Sequence, residues 1–248
     1  MKRLLVLLLT TLGLAGTVVA AEVSVAVAAN FTVPMREIAT AFEEDTGHKA
    51  LLAFGSTGKF YAQIRNGAPF DILLAADDKT PKRLEDEGHG VAGTRFTYAI
   101  GKLVLWSRDA AVVDSEGAVL KTGNFERIAV ADPKLAPYGA AAIQTLTRLG
   151  LLDRLSPRFV QGENIAQTYQ FVATGNAQLG FVALSQVFAG GKLTQGSGWV
   201  VPDDMHETIR QDAVVLTRAR DNPAAQALLD YLRGERARGI IRSFGYQI

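Results

Sequence analysis

Residues 23–58 read VSVAVAANFTVPMREIATAFEEDTGHKALLAFGSTG, and they alternate between two hydrophobic patterns. The apolar run from Val23 to Ala29 is typical of a buried strand, whereas apolar residues at 35, 38, 39 and 42 recur at helical spacing. Pro34 and Gly47 mark the beginning and end of that helix. A second strand is predicted at 51–54. A strand, a helix and a strand in this order indicate parallel pairing within an α/β sheet.

The same alternation continues along the chain and predicts a second α/β unit after the first. No repeat or Pro-rich linker separates the units, so we expect strands to cross between them near Tyr98 and near Asp212. The further predicted strands lie at 71–76, 99–106, 128–131, 180–184 and 213–216. The further predicted helices lie at 59–65, 79–87, 140–149 and 224–233.

The first residues have the pattern of an export signal. A positively charged start is followed by an apolar run at 4–14 and then by small residues. The run is far shorter than the roughly 20 residues that a membrane-spanning helix needs. We therefore predict a signal peptide over residues 1–21, cut after Ala20 or Ala21, with a retained N-terminal anchor as the alternative.

Composition argues against several classes of protein. The chain has 26 basic and 25 acidic side chains, and removing Lys2 and Arg3 leaves a net charge of −1. Both signs are scattered, whereas nucleic-acid-binding proteins gather Lys and Arg to neutralise phosphates, so no nucleic-acid partner is expected. The sequence contains no cysteine, which excludes disulfides, thiolate metal sites and lipid attachment through an N-terminal cysteine. These properties predict a protein that diffuses freely in the periplasm.

Polar residues follow the predicted strands at points where helices begin. Asn30 comes after the first strand, and the run Gly55 to Gly58 comes after the second. Tyr138 and the run Glu163 to Ala166 occupy comparable positions in the second unit. Each junction alone is also explained as a helix cap or a tight turn. In open α/β sheets, however, ligands bind at the carboxyl ends of strands, where helix N-termini present free N–H groups to anions.

No catalytic or metal-ligating set is predicted. His48, His89 and His206 lack ligand spacing to one another and are expected at the surface. Asp77 and Asp78 are expected to cap the helix that follows them rather than to act as acids or calcium ligands. Because Phe60 follows Gly58-Lys59, the phosphate-binding loop pattern is not met, and nucleotide hydrolysis is not expected.

Several motifs resemble one known family. Over residues 22–248 the sequence is similar to the periplasmic molybdate-binding proteins that serve ABC importers. The motifs that carry this resemblance are VAANF at 27–31, FGSTG at 54–58, AQIRNGAPFD at 62–71 leading into AAD at 75–77, YAIGKLVLW at 98–106, DP at 132–133, PYG at 137–139 and LGFVA at 179–183.

The resemblance implies an α/β, two-lobed type II periplasmic binding protein fold, with each lobe a mixed sheet flanked by helices. One lobe is expected over 22–98 plus 213–248 and the other over 99–212. The oxyanion is expected between the lobes, held by neutral hydrogen-bond donors without direct ligands to molybdenum. The implied donors are Asn30 with the Ala29 backbone, a hydroxyl of Thr57 with Ser56 as the alternative, the Tyr138 phenol and the Ile165 backbone N–H.

The sequence departs from some members of that family at two positions. Asn30 stands where a serine is common, and Ala183 stands where some members place a binding tyrosine. Tyr138 is expected to supply the phenol instead. In having Asn30 and Tyr138, the sequence resembles a subgroup with Asn and Tyr at those two positions.

Molybdate or tungstate is the predicted ligand. Molybdate near neutral pH is a tetrahedral dianion that can only accept hydrogen bonds, so a site of donors without carboxylates suits it. We expect no cofactor and no enzymatic activity, an ABC importer as the partner, and a monomer. The alternatives are a receptor for another tetrahedral oxyanion such as sulfate or phosphate, a secreted serine hydrolase that uses Ser56, and a structural periplasmic adaptor.

Overall fold

The computed structural model of the protein describes residues 20–248. Residues 1–19 of the predicted signal peptide lie outside the described residues. Within 20–248 the strands are β1 (Glu22–Ala28), β2 (Lys49–Gly55), β3 (Ile72–Leu74), β4 (Phe96–Gly101), β5 (Leu103–Ser107), β6 (Ile128–Ala131), β7 (Phe159–Gly162), β8 (Leu179–Ala183), β9 (Phe188–Ala189), β10 (Lys192–Leu193), β11 (Ser197–Val200) and β12 (Ile209–Val215). The α-helices are α1 (Thr32–Thr46), α2 (Thr57–Arg65), α3 (Lys79–Asp86), α4 (Val119–Thr122), α5 (Pro137–Arg148), α6 (Leu152–Leu155), α7 (Ile165–Ala173), α8 (Pro223–Arg233) and α9 (Glu235–Ser243).

The first sheet has the strand order β2-β1-β3-β12-β4. β1 is parallel to β2 and β3, whereas β12 is antiparallel to both β3 and β4. β1 is a nearly continuous run of Val and Ala because it is covered on both faces. Helix α1 buries Met35, Ile38 and Phe42 against this sheet and ends at Gly47, whose φ of 72° is the left-handed conformation that glycine adopts readily.

The second sheet has the strand order β11-β5-β8-β6-β7. β6 is parallel to β7 and β8, and β5 is antiparallel to β8 and β11. Both sheets are therefore mixed and flanked by helices, which confirms the predicted fold class. Among residues 20–248, each helix is too short or too polar to span a bilayer.

The predicted single strand at 99–106 is wrong, because the chain forms β4 in the first sheet and β5 in the second. Lys102 connects them, and the chain returns to the first sheet at Ile209. The expected lobe boundaries at 98/99 and 212/213 therefore fall inside β4 and β12. The sequence did not reveal the break, because residues 98–100 and 103–106 are apolar on both sides of it and an apolar run does not indicate which sheet a strand joins.

Candidate functional site

A small cavity lies between the two sheets, where four helical segments begin. Two of these segments follow strands of the first sheet, namely the 3₁₀ turn at Ala29–Phe31 that leads into α1, and α2. The other two, α5 and α7, follow β6 and β7 of the second sheet. The cavity is lined by Ala28, Ala29, Asn30, Gly55, Ser56, Thr57, Ala76, Ala136, Pro137, Tyr138, Asn164 and Ile165.

Every side chain that lines this cavity is uncharged. The first turns of all four helical segments, which lie within the described residues, also contain no carboxylate. A helix N-terminus has unpaired N–H groups and a partial positive charge, which an acidic residue in the first turn would compensate. The cavity therefore combines four uncompensated positive helix ends without a formal charge, an arrangement that favours an anion.

The Ser56 hydroxyl has no hydrogen-bond partner among the described residues. Ser56 is the N-cap residue of α2 and is only 3% exposed, yet its side chain makes no capping hydrogen bond. Leaving a buried polar group unpaired costs about 1 to 3 kcal/mol, so this hydroxyl is available for a ligand.

The neighbouring Thr57 hydroxyl is already engaged in one hydrogen bond. Its Oγ1 accepts the backbone N–H of Ala76 at 3.0 Å. Because a hydroxyl both accepts and donates, Thr57 keeps its proton for another acceptor. Ser56 and Thr57 thus both offer donors at the cavity, and Ser56 is the freer of the two.

The start of α7 leaves one backbone donor uncapped. The Asn164 side chain accepts the N–H groups of Ala166 and Gln167, each at 3.0 Å. This cap does not reach the N–H of Ile165, the first residue of the helix, which has no carbonyl ahead of it within the helix. Ile165 lines the cavity, so its N–H is a backbone donor at this site.

Tyr138 is a buried phenol in the first turn of α5, directly after Pro137. Its Oη accepts a hydrogen bond from Gln211 Nε2 at 3.2 Å. Burial raises the pKa of the Tyr138 phenol well above its ordinary value, with further electrostatic contributions from Tyr246 and Tyr98. The phenol therefore stays protonated at neutral pH and remains a hydrogen-bond donor.

The Asn30 side chain faces into the protein rather than supplying a free amide. Its Nδ2 donates to Gln211 Oε1 at 2.8 Å and to Tyr246 Oη at 2.9 Å, which occupies both amide hydrogens. Asn30 stands in the 3₁₀ turn at the end of β1, where the first backbone N–H groups have no intrahelical partner. The backbone N–H groups of Ala29 and Asn30 are thus the donors that this junction has left for a ligand.

The two sheets' loops touch each other around the cavity. The Gly58 N–H donates to Leu135 O at 2.9 Å, and a Cβ at position 58 would lie 3.0 Å from Leu135 Cα, so the close approach requires glycine. Beside this contact, Lys59 and Glu163 form an ion pair at 2.6 Å. Loops that follow strands of the two sheets are therefore in direct contact beside the cavity.

Residues 23–247 match the family described as bacterial extracellular solute-binding proteins. The chain belongs to this family. It is 63% identical over 227 residues to the molybdate-binding protein ModA of Azotobacter vinelandii, covering 92% of this chain and 90% of that protein. It is 53% identical over 235 residues to ModA of Rhodobacter capsulatus, covering 95% and 92%. The solved periplasmic molybdate-binding protein of A. vinelandii superposes with a TM-score of 0.89 at 41% identity, covering 91% of this chain and 99% of that one.

All the site residues predicted for this solute-binding protein line the one cavity, and they come from segments far apart in the sequence. They are Ala29, Asn30, Ser56, Thr57, Tyr138 and Ile165. Ala183 lies buried at the end of β8 and is not among the residues that line it. The sequence did not predict Gln211, although the polar run Arg210-Gln211-Asp212, directly before the apolar residues 213–216, was a signal that could have drawn attention to it.

Two of the three histidines and one residue of the acidic pair make hydrogen bonds within this solute-binding protein. The expectation of surface histidines is wrong for His48 and His206, which are buried and hydrogen-bonded through Nδ1 to backbone groups. Asp77 accepts the Thr80 N–H at 2.7 Å, which confirms its capping role, whereas Asp78 makes no side-chain cap. Within residues 20–248, no cluster of three or more His, Asp or Glu side chains is placed to hold a metal ion.

Proposed function

We propose that this protein captures molybdate in the periplasm and delivers it to an ABC importer. Relatives with 63% and 53% identity are molybdate-binding proteins, which supports the choice of ligand. The observation that carries the proposal is the Ser56 hydroxyl, which is buried and unpartnered in a cavity whose lining is entirely uncharged. The predicted signal peptide at 1–21 supports the periplasmic location.

The donors we assign are the hydroxyls of Ser56 and Thr57, the Tyr138 phenol and the backbone N–H groups of Asn30 and Ile165. The Ala29 backbone N–H adjoins them. All of them bind oxygen atoms of the anion, so no protein atom ligates molybdenum. A hydrogen bond to a charged acceptor contributes about 1.5 to 3 kcal/mol, so several such bonds together offset the loss of water around a dianion.

The same donor set selects among anions. Tungstate has the charge and tetrahedral shape of molybdate, so we expect it to bind as well. Sulfate has shorter bonds and leaves donors at the cavity wall imperfectly paired, which lowers its affinity. A hydrolase that used Ser56 would need a base in contact with its hydroxyl, and Ser56 Oγ contacts no hydrogen-bonding group of the described chain.

We further propose that the two sheets belong to two lobes that close on the ligand. The first lobe comprises 22–101 and 209–248, and the second comprises 102–208. Since donors come from both lobes, a bound anion stabilises the closed arrangement that the importer recognises. Small-angle scattering of the monomeric protein should show a smaller radius of gyration in saturating molybdate, and an unchanged radius would contradict closure.

The experiment that tests the function is a calorimetric titration of protein freed of bound anions. Molybdate and tungstate should each bind with a stoichiometry near one and raise the melting temperature. Sulfate and phosphate should bind much more weakly. No heat and no melting shift with either heavy-metal oxyanion would overturn the proposal, and preferential binding of sulfate would assign the site to a different anion.

A further inference from the structure

Gln211 is a fully buried polar residue near the point where the chain rejoins the first sheet. Its strand, β12, pairs irregularly with β4 at this position. Gln211 lies opposite Ala99, but the next residue, Asp212, lies opposite Thr97, so Tyr98 is skipped. Irregularities of this kind re-aim side chains and are frequent beside functional sites.

Asp212 fixes the strand at this irregularity. Its carboxylate accepts hydrogen bonds from Arg95 Nη1 at 2.5 Å and from Thr97 Oγ1 at 2.7 Å. The Asp212 backbone is also held, because its N–H donates to Asp77 O at 3.2 Å and its carbonyl accepts the Ala75 N–H at 3.0 Å. The backbone that carries Gln211 is therefore rigidly placed.

The Gln211 amide connects two residues of the proposed site. Its Oε1 accepts from Asn30 Nδ2 at 2.8 Å, and its Nε2 donates to Tyr138 Oη at 3.2 Å. Tyr98 Oη also lies 3.2 Å from Oε1 but is closer to Ala75 O, at 2.9 Å. One amide thus joins Asn30 of the first lobe to Tyr138 of the second.

The direction of these hydrogen bonds determines to which acceptor the Tyr138 phenol can donate its proton. A phenol has one proton, and its oxygen also accepts. Because Gln211 donates to the Tyr138 oxygen, the Tyr138 proton does not point at Gln211, and the acceptors left to it are the neighbouring Tyr246 oxygen and a ligand in the cavity. Tyr138 lines the cavity, so an oxyanion there is such an acceptor.

Gly101 provides the space for this contact. A Cβ at position 101 would lie 2.0 Å from Tyr138 Oη and 2.7 Å from Gln211 Nε2. Gly101 is also the last residue of β4 before the chain crosses to the second sheet. The crossing therefore passes directly over the Gln211–Tyr138 hydrogen bond and leaves no room for the phenol or the amide to shift towards it.

We propose that Gln211 is a positioning residue for the oxyanion site: it directs the Tyr138 proton into the cavity and holds the Asn30 turn in place. This inference rests on the proposed molybdate function. Gln211 itself does not line the cavity, so it acts through these two residues and not by contact with the anion.

A double-mutant cycle with calorimetric molybdate titrations tests the proposal. Gln211→Met keeps the length of the side chain and removes both hydrogen-bonding groups, so we expect affinity to fall about tenfold, the size of one lost hydrogen bond. In the Tyr138→Phe background, the same change should have a clearly smaller effect, because the proton that it directs is already missing. A second readout is the tyrosine ultraviolet difference spectrum on binding, which Gln211→Met should diminish.

Gln144→Met is the matched control, since Gln144 accepts the Glu207 N–H and takes no part in this network. It should bind molybdate like the wild type. Unchanged affinity in Gln211→Met, or effects of Gln211→Met and Tyr138→Phe that simply multiply, would overturn the positioning role. Failure of the wild type to bind molybdate in the same assay would instead overturn the proposed function. If Gln211→Met melts early, Gln211→Glu provides the second variant: it can only accept from the phenol, and it should weaken binding more than Met does.

Discussion

Two depressions lie side by side between the sheets, and they differ in the charge of the residues that line them. The inner cavity is lined only by uncharged residues. The outer groove shares Ala76, Ala136 and Pro137 with the cavity but is otherwise rich in charge. Its charged residues are Asp77, Asp78, Lys79, Lys134, Glu207 and Arg210.

In the outer groove, two opposite charges compensate each other within the protein, because Lys79 pairs with Glu207 at 2.7 Å. A cation placed in the inner cavity would have no such partner whenever the site was empty, and an unpaired buried charge is strongly unfavourable. Neutral donors and helix ends avoid this penalty and still favour a dianion. The difference indicates that a site which must fill and empty repeatedly gains from holding its ligand with dipoles.

Placing a carboxylate in each depression should give the largest contrast. Ser56→Asp puts a negative charge at the proposed anion site, in a largely buried cavity, and we expect molybdate affinity to fall by more than about 100-fold. Gln144→Glu adds the same charge to the solvated outer groove and should change affinity by less than about threefold. Calorimetry on both variants measures the contrast. Equal losses would show that net charge, and not the neutral cavity, governs binding.

Gly101→Ala should have the next largest effect on the inner cavity. The added methyl overlaps the Tyr138 phenol and the Gln211 amide, so we expect both a loss of about 1 to 3 kcal/mol in unfolding free energy and a weaker site. Gly239→Ala is the control, because a Cβ there meets nothing within 4 Å and lies in helix α9. Chemical denaturation of the two variants measures the change in unfolding free energy, and molybdate titration measures the change in affinity. Wild-type binding by Gly101→Ala would mean that Tyr138 is not confined as described.

Removing the phenol alone should have a smaller effect. Tyr138→Phe deletes one donor to a charged acceptor and should weaken molybdate binding by about 1 to 3 kcal/mol. Tyr169→Phe changes the same residue type where its ring stacks on Trp106, away from the cavity, and should leave the affinity unaltered. An identical affinity for Tyr138→Phe and wild type would remove Tyr138 from the set of ligand donors.

The smallest effect is expected at the rim. Lys59 and Glu163 form an ion pair between the two proposed lobes, but their side chains are 45% and 48% exposed, so the pair is screened by water and salt. Lys59→Ala should lower molybdate affinity by less than about 1 kcal/mol, and the difference should shrink further as salt is added. Lys82→Ala, which breaks an exposed pair within α3, serves as the control. A loss comparable with that of Tyr138→Phe would mean that a formal charge contributes to holding the anion.

The sequence predicted those parts of the site that depend on local pattern. Polar residues at the strand-to-helix junctions, such as Asn30 and Ser56, follow from periodicity and turn chemistry, and the Ile165 N–H came from the family resemblance. Gln211 could not be found in this way, because its partners Tyr138 and Asn30 are 73 and 181 positions away in the chain. Only the folded chain brings together side chains so far apart.

The break between β4 and β5 escaped prediction for a related reason. Apolar periodicity reports that a strand is buried, but it does not report which sheet buries it. The sequence contains Gly101, but the reason that this position requires glycine is the close contact with the Tyr138 side chain of α5.

A crystal structure of the protein with molybdate, with the metal located by anomalous scattering, tests the central claim most directly. We predict the metal centre in the inner cavity, with its oxygens in hydrogen-bond contact with Ser56 Oγ, Tyr138 Oη and the Ile165 N–H, and with no protein atom bonded to molybdenum. An anion seated in the outer groove against Lys79 or Arg210 would contradict the claim that neutral donors hold the ligand.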